Sequence, residues 1–200
     1  MHWAESWLEA ATADRVQRNP NAMTLATVGA GSGPSARVVL CKSFVADPGY
    51  VVFYTNYESR KGIEIADNDR VAVVFHWDAL GRQIRLEGVA VRSPADESDA
   101  YFLSRDHGSQ LGAWGSDQSR PIDSRQAFLR QLEERAAAPG DRLATRPPHW
   151  GGYRVWADAV ELWVEGKDRI HDRARWTREL RSVSGSRFAP TPWRGTRLQP

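Results

Sequence analysis

Three strand-like runs, AMTLATVG at 22–29, SARVVLCKSF at 35–44 and YVVFYTN at 50–56, are separated only by the turn-rich segments GAGSGP and VADPG. Parallel strands need a crossover of a dozen residues or more, so links this short commit the first third of the chain to antiparallel neighbours. The pattern continues with RVAVVFHW at 70–77 and RQIRLEGVAVRS at 82–93. In the latter, Ile84, Leu86, Val89 and Val91 alternate once a bulge is placed at Gly88. GGYRVWA, VELWVEG and RIHDRARWTREL then lead to a last strand near RGTRLQP.

Helical spacing is confined to a few places. Trp3, Trp7, Leu8 and Ala11 predict a helix over 3–17, ended by Asn19-Pro20. A short helix over 58–67 is expected, capped by Asn56 or Ser59. One helical stretch runs from Pro94 to about Trp114, another over about 123–137 carries Phe128, Leu129 and Leu132, and 138–148 reads as a loop. The expectation is a mainly β (α+β) fold of the barrel kind in one domain, 1–200. Its parts are an N-terminal helix (1–19), a helical insertion (94–137) and a C-terminal extension (179–200). The tight turns, in place of regular helical crossovers, argue against a doubly wound parallel sheet, and no dinucleotide fingerprint or P-loop is present.

Composition narrows the partners. The formal charge is +2 and the arginines are scattered, which argues against a nucleic-acid surface. The single cysteine, Cys41, rules out an internal disulfide and points to a reducing compartment. No apolar run approaches the ~20 residues of a membrane helix, and MHWAESWLEAATADR lacks the layout of a signal peptide. A cytoplasmic location without membrane attachment is expected. The five histidines show no HxxH or HExxH spacing, so no metal site is expected, and no GxSxG elbow supports a serine hydrolase. The nine tryptophans are assigned to core and interface, with one or two left to border a planar cofactor.

The basic residues are lopsided. Lysine occurs only at 42, 61 and 167 among 27 basic residues, and two of the three fall between Arg37 and Lys61. A compact ammonium suits a phosphate oxygen where a planar guanidinium does not. On a regular strand Arg37 and Lys42 point to opposite faces and would serve different anions. Ser59, Arg60 and Lys61 at a helix start make either a phosphate site or a solvated first turn. Tyr101, Arg105 and Ser109, at i, i+4 and i+8, form one helical stripe that suits a second phosphate or is an ordinary polar face. Arg169, His171 and Arg173 share a strand face, which either meets an anionic or aromatic partner or is exposed.

NAMTLATV, RVVLCK, VVFYTNYESRKG, RQIRLEG, YFLSRDHGSQLGAWGSDQS, WGGYRV, ELWVEGKDRIHDR and terminal RLQP occur in one order. In that order the chain, from about residue 20 to its end, resembles the pyridoxamine 5′-phosphate oxidases. The resemblance implies a split β-barrel homodimer with FMN at the subunit interface. It implies oxidation of pyridoxine or pyridoxamine 5′-phosphate to pyridoxal 5′-phosphate, with O2 as acceptor and H2O2 released. It puts Arg37, Val38, Val39, Leu40, Tyr54, Thr55, Arg60 and Lys61 on the flavin from one subunit, and Gln83, Gln118, Ser119, Trp163 and Arg173 from the other. It gives the substrate phosphate to Lys42, Tyr101, Arg105 and Ser109, and the pyridine ring and catalytic positioning to Arg169 and His171.

Three departures from the family pattern stand out. Only about 20 residues, room for one helix, precede the first strand. Asp106 occupies a position where proline is common, and the stretch between Arg178 and Thr196 is longer than usual. The alternatives are a sister split-barrel flavoenzyme of the phenazine type, or a non-catalytic protein binding flavin or pyridoxal phosphate. Retention of Lys42, Tyr101, Arg105 and Ser109 together speaks against the first, and the Arg169/His171 pair against the second.

Overall fold

Met23 and Leu25 on one strand, Val71, Val73, Phe75 and Trp77 on another, and Ile84 and Leu86 on a third recur at every second position, and all are buried. Side chains alternate across a strand, so this period turns one face of each strand inward. The computed structural model describes residues 1–31, 33–137 and 145–200. The expected loop at 138–148 therefore falls largely outside the described residues.

The strands are β1 (Ala22–Thr27), β2 (Ser35–Leu40), β3 (Ser43–Val45), β4 (Tyr50–Asn56), β5 (Arg70–Trp77), β6 (Arg82–Arg92), β7 (Trp150–Val164), β8 (Asp172–Thr177), β9 (Leu180–Ser184), β10 (Arg187–Pro190) and β11 (Arg194–Leu198). The helices are α1 (His2–Ala13), α2 (Arg60–Asp67), α3 (Ala95–Leu103), α4 (His107–Gly115) and α5 (Arg125–Ala137). Nine strands form one antiparallel sheet in the order β11-β8-β7-β6-β5-β1-β2, with β4 pairing both β3 and β7. The sheet curls into a split β-barrel. Phe53, Phe75, Trp77, Ile84, Leu86 and Val155 fill it, and α1 lays Ala4 and Ala11 against the same cluster.

The bulge expected in β6 at Gly88 is corrected: β6 alternates without a break, burying Ile84, Leu86, Gly88 and Ala90 and leaving Val89 and Val91 half-buried on the other face, and the β6–β7 register shift beside Gly88 puts the extra residue, Asp158, on β7. A Cβ on Gly88 would lie 1.9 Å from the Trp156 carbonyl oxygen, so only glycine permits this approach. The two runs GGYRVWA and VELWVEG are one 15-residue strand, β7, bent at that bulge.

Two expected elements are broken. The run 35–44 divides into β2 and β3 because its partner changes: the Cys41 N–H donates to the Asn21 carbonyl, and the Lys42 N–H to the Val52 carbonyl. The helical stretch 94–114 divides into α3 and α4, because the Asp106 side chain accepts from the Ser109 N–H at 2.8 Å and starts a new helix. The long segment after Arg178 folds into the β9–β10 hairpin, whose Phe188 packs on Trp156.

Candidate functional site

Of the two caps the sequence offers, Ser59 is the one that caps α2, and the next two residues carry the charge. The Lys61 Nζ donates to Thr55 Oγ1 at 3.1 Å, Ser59 Oγ at 3.2 Å and Gln118 Oε1 at 2.9 Å, and no carboxylate is among these partners. Burial first, then the Arg37 charge, pull its pKa down to about 8. Across from it, Arg37 on β2 and Arg60 on α2 share one carboxylate. Arg37 Nη2 donates to Glu64 Oε2 at 3.2 Å and Arg60 Nε to Glu64 Oε1 at 2.8 Å. Three cations, Arg37 and Lys61 half-buried and Arg60 exposed, and one carboxylate leave two positive charges over beside a helix N-terminus. That is the donor set of a phosphate site.

Glu64 is a residue the sequence reading missed. Its position one turn after Arg60 was a usable signal, since i and i+4 lie on one helix face. Ser119, also expected at the flavin, lines a cavity of about 390 Å³ with Arg60, Arg120 and the carboxylates of Glu58, Glu64 and Asp67. Its backbone is in the left-handed region at φ 71°, an unusual state for serine that fits a functional turn. Val38 is exposed on β2, whereas Val39 packs against the core, and Leu40 ends the strand. The resemblance gives Gln118 and Ser119 to the second subunit, yet Ser119 lies beside Arg60 of its own chain. Gln118 likewise stands on the Lys61 side of the same chain, where its amide oxygen also accepts from Thr55 Oγ1 at 3.1 Å.

A second cluster forms on the other face of β4. Successive strand residues point to opposite faces, so Thr55 goes to Lys61 while Tyr54 goes to Tyr101. The two tyrosine rings stack at 3.8 Å, with Trp150 beside them at 5.6 Å from Tyr54. The Lys42 ammonium lies 5.8 Å from the Tyr101 ring centre, and the Arg105 guanidinium 4.6 Å over Trp150. Arg105 Nη1 is buried without a hydrogen-bond partner among the described residues. A buried guanidinium nitrogen in that state calls for an acceptor, and a phosphate oxygen supplies one. The single helical stripe of Tyr101, Arg105 and Ser109 is corrected: Tyr101 is on α3, Arg105 in the break and Ser109 on α4. Ser109 Oγ donates to Asp106 Oδ2 at 2.7 Å, so its hydroxyl must turn to reach any ligand.

The remaining residues gather at the far end of β7. Gln83 on β6 stands opposite Trp163, and Trp163 opposite Arg173 on β8, so all three form one row on one face. Arg173 is held by Glu161, only 3% exposed, through Nε at 2.9 Å. The His171 ring lies 4.5 Å from that of Trp163, and its Nδ1 accepts from the Gly166 N–H at 3.2 Å. That bond leaves the imidazole proton of the neutral ring on Nε2. The expected strand face of Arg169, His171 and Arg173 is corrected, since β8 begins only at Asp172. Arg169 and His171 belong to a tight turn in which Asp168 and Arg169 both adopt positive φ. Gly166 is required there, as a Cβ would sit 1.8 Å from the Ile170 carbonyl oxygen.

Thr55 pairs with Gly151 and Arg173 with Trp163, at opposite ends of β7. A dozen residues of strand separate them, about 40 Å at the usual rise. The Lys61 and Tyr101 clusters thus stand at one end of this strand, and the Gln83–Trp163–Arg173 row and His171 at the other.

Two family models match the chain. One, described as pyridoxamine 5′-phosphate oxidase, covers residues 8–137. The other, described as the pyridoxine 5′-phosphate oxidase C-terminal dimerisation region, covers 150–200. The pyridoxine/pyridoxamine 5′-phosphate oxidase of Burkholderia vietnamiensis is 48% identical over 189 residues, 93% of this chain and 86% of that protein. That of Burkholderia cenocepacia is 46% identical over 199 residues, 98% of this chain and 86% of its own length. Among solved structures, PhzG from Burkholderia lata, in complex with tetrahydrophenazine-1-carboxylic acid, superposes with a TM-score of 0.82 at 29% identity, covering 100% of this chain and 91% of that one. A pyridoxamine 5′-phosphate oxidase-related, FMN-binding protein from Nostoc punctiforme gives 0.73 at 17% identity, covering 99% and 97%, a likeness of fold.

Proposed function

The chain belongs to the pyridoxamine 5′-phosphate oxidase family, and from that premise we propose that it uses FMN and O2 to oxidise pyridoxine or pyridoxamine 5′-phosphate to pyridoxal 5′-phosphate. One observation carries the reading. The Lys61 and Tyr101 clusters stand at one end of β7, and the Gln83–Trp163–Arg173 row with His171 at the other. Two half-sites that far apart along a strand act together only if a second copy brings its far end to the first copy's near end. The working unit is then a homodimer with two shared sites. The match of residues 150–200 to a dimerisation region supports this arrangement.

Arg37, Arg60 and Lys61 hold the FMN phosphate, and Thr55, Gln118 and Ser119 hold neighbouring polar groups. The partner's Gln83, Trp163 and Arg173 close the other side. Bound FMN supplies the acceptor for a hydride from the substrate C4′ carbon. The chain's own task is aim. Lys42, Tyr101 and Arg105, with Ser109 once it leaves Asp106, grip the substrate phosphate. That remote grip provides binding energy for orientation at the reacting carbon. Arg169 and His171 hold the pyridine ring, with His171 presenting Nε2–H because Nδ1 is occupied by Gly166. Neither acts as a nucleophile.

The reading over a sister oxidase rests on the 48% identity to a pyridoxine/pyridoxamine 5′-phosphate oxidase against 29% to PhzG, and on the unpartnered Arg105 nitrogen beside Tyr101. The test is anaerobic. The purified yellow protein is mixed with pyridoxine 5′-phosphate and the flavin absorbance followed. Bleaching, with pyridoxal 5′-phosphate formed in equal amount, is the expected result, and a flavin that stays oxidised overturns the proposal.

A further inference from the structure

We propose that Glu64 is a positioning residue of the flavin-phosphate site, fixing Arg37 and Arg60 in the arrangement the phosphate enters. The inference rests on the flavin reading above. Glu64 is 5% exposed, and a carboxylate so enclosed persists only when its oxygens are satisfied. Oε2 accepts from Thr27 Oγ1 on β1 at 2.5 Å and Ser35 Oγ on β2 at 2.6 Å, besides Arg37. Oε1 accepts from Arg60. Burial alone would raise its pKa, but the bonds from Ser35, Thr27 and Arg60 outweigh that and hold the carboxyl well below its usual range.

The two hydroxyls belong to the rigid sheet and the two guanidinium groups to the ligand side. The carboxylate therefore transmits the sheet's position to both arginines. Arg37 is further tied through Nη1 to the Leu25 carbonyl at 3.2 Å and through Nη2 to Ser35 Oγ. Arg60 gives only Nε to Glu64, which leaves its terminal nitrogens for another acceptor. Without this carboxylate, Arg37, Arg60 and Lys61 would repel one another and scatter before a phosphate arrived. With it, the site is formed in advance, and less ordering is left to binding.

Glu64 thus has two opposed effects on FMN. It orders the donors, which strengthens binding, and it cancels one positive charge, which weakens long-range attraction. The experiment uses the full chain stripped of flavin and titrated with FMN at several salt concentrations, comparing wild type with Glu64→Gln and Glu64→Ala. Gln keeps the shape without the charge, so it serves if the Ala variant does not fold. A charge-assisted pair contributes enough that the Gln variant should bind FMN roughly tenfold more weakly at physiological salt. Its affinity should also fall more steeply with added salt, since three uncompensated cations then face the phosphate. A variant within twofold of wild type overturns the inference, and so does weaker binding with an unchanged salt slope, which marks a merely structural residue. Wild-type protein that takes up no FMN at any salt overturns the flavin reading itself, and this inference with it.

Discussion

Tyr54 and Tyr101 lie face to face, ring centres 3.8 Å apart and planes 17° apart. One belongs to β4, the strand that carries Thr55 to Lys61, and the other to α3, beside Lys42 and Arg105. The stack therefore joins the element that carries Thr55 to Lys61 directly to the element beside Lys42 and Arg105. Burial, reinforced by Glu97, pushes the Tyr54 hydroxyl well above its ordinary value, so it remains neutral at physiological pH.

The stack and the Tyr101 hydroxyl can be separated. Tyr101→Phe keeps the ring and should leave FMN binding intact while raising KM for pyridoxine 5′-phosphate several-fold. Tyr101→Ala also loses a ring pair of about 1 kcal/mol and should lower Tm as well. Steady-state kinetics and thermal unfolding check both, and a Phe variant with wild-type KM places the hydroxyl away from the phosphate.

Lys42 is exposed beside Tyr101, off the end of β2. For Lys42→Ala the expected outcome is a KM raised roughly 10- to 100-fold, the range of a lost charged hydrogen bond, with flavin content unchanged. Loss of FMN from the purified variant would assign Lys42 to the other phosphate.

Shared sites predict complementation. Lys61→Met disables one half-site and Arg169→Ala the other. Each homodimer should be nearly inactive, yet unfolding and refolding them together in equal amounts should recover about a quarter of wild-type activity. That figure follows because half of the dimers are mixed and each mixed dimer carries one intact site. No recovery would mean that each chain builds its own site.

Lys61 gives the flavin-free protein a distinctive pH response. The ordinary lysine value is 10.5 and burial with the Arg37 charge brings it to about 8. Between these values the unfolded chain holds the proton and the folded chain does not, so raising pH across the window stabilises the fold. Cys41, pushed up to about 12 by burial, acts oppositely above its ordinary 9.0. The comparison with Lys61→Met isolates the lysine. The Met variant should be the more stable at pH 7, with the gap closing toward pH 10. FMN affinity of the wild type should decline as pH rises through about 8, and that decline should vanish in the variant.

The bulge offers a stability test remote from the ligands. Gly88→Ala would force a Cβ onto the Trp156 carbonyl, at a cost of at least ~2 kcal/mol. Thermal unfolding should show a Tm lower by roughly 4–8 °C. An unchanged Tm would mean that the β6–β7 pairing relaxes freely.

By itself the sequence determined most of the strands, their antiparallel pairing, the cap of α2 to within two candidates and the identity of most charged side chains in the two cation clusters. These are local facts: alternation, turn length and capping depend on residues within a few positions of one another. It misjudged 35–44, 94–114 and 169–173, where a change of strand partner, the Asp106 cap and a left-handed turn at Asp168 and Arg169 break a regular period. Only the tertiary structure decided that Glu64 binds Arg37 to Arg60, that Gln118 joins Lys61 within its own chain, and that the half-sites stand at opposite ends of β7. The physical reason is that each of these juxtaposes residues far apart in the chain. Strand order and register fix them, and no local spacing records either.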